Sequence, residues 1–170
     1  MTSRTTTPTV ELDVPYSSPE AAATDWQRTN SVLADAAIYW LATVRADGRP
    51  HITPVIAVWT GGAVHVCTGP DEQKAKNLIG NSNVVVMTGT NLWSGLDVVI
   101  EGKAVRVTDD SELRDLAAAW EAKYGEEWHF DVANGAFHHD AGDAHVFAIT
   151  PTKAYAYDRD EPGGATRYRF

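Results

Sequence analysis

The residues best suited to chemistry in this 170-residue chain fall in two stretches. One runs Cys67-Thr68-Gly69-Pro70-Asp71-Glu72-Gln73-Lys74-Ala75-Lys76-Asn77. A hydroxyl and a glycine end an apolar run, proline and two acids open a helix, and two ammonium groups follow. Helix-start N–H groups, a hydroxyl and an ammonium make a pocket suited to phosphate, although a solvated basic turn reads the same way. Lys74 and Lys76, two residues apart, point to different helix faces, so a single phosphate cannot easily take both. The other stretch, residues 50–59, reads as a strand that contains Pro50 and Pro54. Proline has no N–H for a ladder, so such a strand is an edge or carries a bulge. Alternation puts His51, Thr53 and Val55 on one face and Ile52, Pro54 and Ile56 on the other. Its free C=O and remaining N–H groups would match the rim of a heteroaromatic ring.

Other groups weigh less. His129, His138, His139, Asp140, Asp143 and His145 crowd one segment. Adjacent His138 and His139 have neither the i, i+2 nor the i, i+4 spacing of a chelating pair, so the segment reads as a solvated or lid-forming loop and no metal is expected. Haem ligation by one of these histidines is the alternative. Cys67, the only cysteine, reads as a small core residue. In the last residues, Thr166-Arg167-Tyr168-Arg169-Phe170, Tyr168 and Arg169 either pack or fold over the ligand of a neighbouring subunit. No general acid or nucleophile stands out.

The elements that must position these groups follow from turn and capping signals. Ser18-Pro19-Glu20 predicts a helix to about 35. Strands are predicted over 37–46, 50–59 and 63–68, joined by Asp47-Gly48 and Gly61-Gly62 turns. A short helix is expected within 69–81, a strand over 83–89, a loop over 90–95 and a long strand over 96–108, bent at Gly102. Asp109 to Glu112 resembles a capping box, and Leu113, Leu116, Ala117 and Trp120 share one helix face over 109–125. Strands over 144–150 and 153–158 close the set. One helix between early strands argues against a doubly wound sheet and for a mainly β (α+β) antiparallel barrel with flanking helices. Residues 1–17 read as a flexible arm, 18–158 as the domain and 159–170 as a tail without clear period.

A net charge of −9 argues against a broad nucleic-acid surface. No apolar run approaches membrane-helix length and no apolar leader is visible. A cytoplasmic location is the expectation, in keeping with the single cysteine.

In order and spacing, 39-YWLATVRADGRPHITPVIAVW-59, 64-VHVCTGPDEQKAKNL-78, VVVMTG and VVIEGKAVRV resemble the pyridoxamine 5'-phosphate oxidase-like split-barrel family over roughly residues 25–158. The resemblance implies a split barrel of six to seven strands, a homodimer with two interfacial sites, and FMN as cofactor, with coenzyme F-420 or, in a few branches, haem as alternatives. It places Thr53, Pro54 and Val55 beside the ring and Thr68 near the ribityl-phosphate. Lys74 stands at the lysine of the family's Ser-Arg-Lys phosphate motif, followed by Lys76 and Asn77. Glu72-Gln73 replaces Ser-Arg, which removes one strong phosphate partner. Trp93 and Asp97 would come from the other subunit, and Arg169 from the tail. The implied activity is hydride transfer between bound FMN or F-420 and a small conjugated substrate. The alternative is non-catalytic flavin or haem binding or storage. The oxidase's own tryptophan-then-arginine ending is missing, so that particular reaction is not expected.

Overall fold

The structure is a computed structural model that describes residues 7–90, 92–140 and 142–170. Its first strand, β1 (Thr9–Leu12), precedes helix α1 (Trp26–Asp35), and a meander follows of β2 (Tyr39–Val44), β3 (Pro50–Val55), β4 (Ala57–Thr60) and β5 (Ala63–Thr68). Helix α2 (Gln73–Gly80) leads to β6 (Asn83–Thr88) and the long β7 (Leu96–Val107). Helix α3 (Asp110–Tyr124) is followed by β8 (Asp131–Ala133), β9 (Ala136–His139), β10 (Gly142–Asp158) and β11 (Gly164–Arg169).

The strands pair in the order β1-β11-β10-β7-β6-β2-β3, antiparallel throughout. β10 is the seam: it pairs with β7 on one side, and on the other with β5 through residues 145–149 and with β11 through 153–158. Its register against β7 shifts between Pro151 and Lys153, opposite Gly102. A Cβ on Gly102 would lie 2.5 Å from the Thr150 carbonyl oxygen, so the close approach at this bend requires glycine. The result is an antiparallel split barrel with helices at its ends.

Two cores fill it. Tyr39, Leu41, Val86, Val98, Ile100 and Ile149 are buried inside the barrel. Below it, α3 presses Leu113, Leu116 and Trp120 onto Val58, Val107 and Val146, and Trp120 meets the rings of Phe130 and Phe137 edge-on. The Asp109 carboxylate accepts the Glu112 N–H at 2.9 Å, the cap expected from the sequence.

Several expectations are corrected. The strand predicted over 50–59 breaks at Ile56, and those over 144–150 and 153–158 are one continuous strand. Helix α1 starts at Trp26, capped by Asp25, not at Ser18. Ser18-Pro19 makes only a turn, because the following chain is tied to β11: Thr24 N–H donates to Thr166 Oγ1 at 2.8 Å and Tyr168 Oη donates to the Thr24 carbonyl at 2.7 Å. These tertiary bonds outweigh local helix signals. In place of a free arm and tail, Thr9–Leu12 and Gly164–Arg169 pair with each other, and β11 also pairs with β10. Residues 1–6 of the predicted arm lie outside the described residues. The histidine-rich loop contains the β8–β9 hairpin, turned by Asn134 and Gly135, both with positive φ.

Candidate functional site

The two prolines of β3 mark its free side. Among the described residues, β3 pairs with β2 alone. Arg45 N–H donates to the Arg49 carbonyl at 2.9 Å, which makes that pair a hydrogen-bonded one. Alternation then makes Thr43–His51 and Leu41–Thr53 hydrogen-bonded pairs, and turns the backbone groups of Pro50, Ile52 and Pro54 outward. Along this edge stand the carbonyls of residues 50, 52 and 54 and one N–H, that of Ile52. Two donors are deleted where a further strand would need them, while the acceptors remain.

At its C-terminal end this edge runs into a cleft of about 310 Å³. Pro54, Val55 and Ile56 form one wall, Thr68, Gly69, Glu72 and Lys74 the floor, and Trp128, Phe130 and His139 the opposite wall. Four sequence-predicted site residues, Pro54, Val55, Thr68 and Lys74, thus come together. Thr53 lies one residue away, and its Oγ1 is buried without a hydrogen-bond partner. The cleft floor already holds an ion pair. Lys74, whose side chain is 13% exposed, donates to Glu72 Oε2, and Glu72 Oε1 accepts the Gly69 N–H at 2.9 Å. Burial alone would raise the Glu72 carboxyl, but Lys74 and the Gly69 N–H outweigh it and hold it below the usual carboxylate range. Burial pushes the Cys67 thiol up to about 11, so it stays protonated at neutral pH and supplies no thiolate.

The wall of the cleft is held from α3. Where β3 breaks, Ala57 N–H donates to Tyr124 Oη at 3.0 Å, and the Ala57 carbonyl accepts from Lys123 Nζ at 3.0 Å. Lys123 also lies 5.0 Å from the centre of the Tyr39 ring. Burial lowers the Lys123 ammonium and raises the Tyr124 phenol. The last turn of α3 therefore satisfies the backbone groups released by the break at Ile56.

The remaining predicted residues lie elsewhere in this chain. Lys76 lines a separate groove of about 540 Å³ with Arg45, Gly48 and Asn81. Asn77 is buried and stitches α2 to β2, donating to Thr43 Oγ1 at 2.8 Å and accepting from Gln73 at 2.7 Å. Trp93 is almost fully exposed in the loop before β7, a loop whose Asn91 is outside the described residues. Asp97 binds Arg159 at 2.7 Å. Arg169 is exposed on β11, opposite Lys153 and Thr9. Tyr168 does not cover a ligand: it is buried, hydrogen-bonded to Thr24 and Thr29, with its ring 4.9 Å from that of Trp26. Among the described residues, no three His, Cys, Asp or Glu side chains converge as metal ligands. Trp128, Phe130 and His139 were not legible as cleft residues, although Asn134-Gly135 is a hairpin signal that would have folded their segment back.

The outer face of the sheet is also apolar. Pro54, Trp40, Met87, Val99 and Tyr155 lie opposite one another across five strands, and Ile52, Ala42 and Val85 form the adjoining row. Trp40 is 46%, Met87 43% and Ile52 58% exposed. No helix is long and apolar enough to cross a membrane among the described residues.

No curated protein matches the chain. Solved structures do. Protein Rv2991 of Mycobacterium tuberculosis superposes with a TM-score of 0.65 at 19% identity, covering 85% of this chain and 90% of its own. An F-420 reductase gives 0.54 at 21%, covering 74% and 94%. HutZ, a haem storage protein of Vibrio cholerae, gives 0.56 at 23%, covering 69% and 82%. At these identities the likeness is one of fold. A family profile described as pyridoxamine 5'-phosphate oxidase matches residues 26–158, most of the chain, and the split barrel agrees with it: the chain belongs to the pyridoxamine 5'-phosphate oxidase-like family.

Proposed function

We propose that the chain is an oxidoreductase that binds a flavin-type ring along the free edge of β3, between two copies of itself. The observation that carries this reading is the edge itself. Two prolines keep other strands off, one N–H and three carbonyls face outward, and the strand ends in a cleft with an aromatic wall. A flat ring with donors and acceptors on its rim fits such a border. The buried, unpartnered Thr53 Oγ1 beside it offers a further polar contact.

FMN is the first candidate, with coenzyme F-420 the alternative, on the strength of the family and of the F-420 reductase among similar structures. The bound ring would supply the hydride, and the chain would orient it against a small conjugated substrate. The apolar outer face around Trp40, Ile52 and Met87 suits an isologous contact with a second copy. In that dimer, Trp93 and Asp97 of one copy would border the ring held by the other. Non-catalytic binding or storage of haem is the second reading, favoured by His139 on the cleft wall and by the haem storage protein of the same fold.

Titration with FMN, F-420 and haem, read by fluorescence quenching and Soret absorbance, tests the proposal. Saturable micromolar or tighter binding of a flavin or deazaflavin supports it. A Soret shift without flavin binding favours the second reading, and no binding of any of the three removes both.

A further inference from the structure

The floor of the cleft is built like an anion site, yet the anion is part of the chain. Glu72 presents one oxygen to the Gly69 N–H and the other to the Lys74 ammonium, and the Thr68 hydroxyl also favours its charged form. All four residues line the cleft. A backbone N–H at a strand end, a hydroxyl and an ammonium are the donors a phosphate would use. Here a carboxylate holds them already. Asp143 lines the same cleft, and its carboxylate is paired with His138 at 2.6 Å, which leaves Glu72 as the partner of Lys74. The carboxylate sits directly against the Gly69 backbone: a Cβ on Gly69 would lie 3.3 Å from Glu72 Oε1.

We propose that Glu72 is a tethered anion filling the phosphate subsite of the cleft, so that the site holds the flavin ring and its polyol chain and draws no affinity from a terminal phosphate. The specificity rests on the flavin reading above and deepens it: the guest is held by its ring, not by a phosphate anchor, and exchanges readily. A phosphate dianion reaching Lys74 must displace Glu72 and then lie close to the displaced charge. Glu72 is therefore a specificity-determining residue.

The test compares riboflavin with riboflavin 5'-phosphate in the full chain and in Glu72→Gln, which keeps the size and one acceptor oxygen while removing the charge that pairs with Lys74. Affinities are read by flavin fluorescence, and the Gly69 amide resonance is followed during titration with inorganic phosphate. The wild type is expected to bind the two flavins comparably and to leave the Gly69 amide unmoved by phosphate. Glu72→Gln is expected to tighten riboflavin 5'-phosphate by about ten- to a hundredfold, the range of a charge-assisted contact, with riboflavin unchanged. Its Gly69 amide should also shift saturably with phosphate. An unchanged ratio of the two flavins, or a Gly69 amide blind to phosphate in the variant, would overturn the proposal. If neither flavin binds either protein, the flavin reading fails, while the phosphate titration still decides whether Glu72 blocks an anion subsite.

Discussion

At the scale of single residues, charge and burial decide what the cleft can hold. Lys74 has the position expected of a phosphate ligand, but its partner is Glu72. Lys74→Ala should therefore have little effect on riboflavin 5'-phosphate in the wild type and cost about 1.5–3 kcal/mol in the Glu72→Gln background. Equal losses in both backgrounds, measured by the same titration, would show that the two side chains are not coupled. His65 gives a second residue-level outcome. It is buried in β5, its Nδ1 has no hydrogen-bond partner, and burial lowers its imidazole to about 4. In the unfolded chain an ordinary histidine takes up a proton near pH 6.5, whereas the folded one resists until about pH 4. Stability is thus fully present above pH 6.5 and falls by about 3 kcal/mol as pH drops through that window. Urea midpoints of the wild type and His65→Leu, taken at pH 7 and pH 5, should show the variant losing distinctly less on acidification.

At the scale of elements, the break at Ile56 depends on α3. Tyr124→Phe leaves the buried Ala57 N–H without its acceptor and should cost about 1–3 kcal/mol in denaturant melts; a smaller change would mean that another group takes the bond. Pro54→Thr returns an N–H to the free edge of β3 and should promote edge pairing, seen as larger species in sedimentation velocity. Much of this scale was legible in the sequence. The Asp47-Gly48 and Gly61-Gly62 turns, the Asp109 cap and the Trp120 face of α3 are local signals, and the structure agrees with them. What was not legible depended on distant partners. The start of α1 is set by Thr166 and Tyr168, and Thr9–Leu12 pairs with the strand Gly164–Arg169 far along the chain. The split of the 50–59 strand is satisfied by two side chains of α3 far along the chain.

For the whole molecule, the site expected from the sequence is only partly assembled in one chain. Pro54, Val55, Thr68 and Lys74 meet in the cleft, whereas Trp93, Asp97 and Arg169 stand apart from it. Spacing along a strand can bring neighbours to one groove, but it says nothing of groups supplied by a second copy. Under the proposed dimer, a charge in the middle of the apolar outer face should separate the copies and weaken the ligand together. Trp40→Glu is expected to sediment as a folded monomer and to bind flavin at least about tenfold, or 1.4 kcal/mol, more weakly. A variant that stays dimeric with full affinity would place the interface elsewhere.

The most direct measurement follows the Ile52 amide, the one N–H on the open edge of β3, by hydrogen exchange in the presence and absence of riboflavin. The expected result is marked slowing of exchange at Ile52 as the flavin saturates. Saturation with Ile52 exchanging at its free rate would contradict a ring seated along that edge.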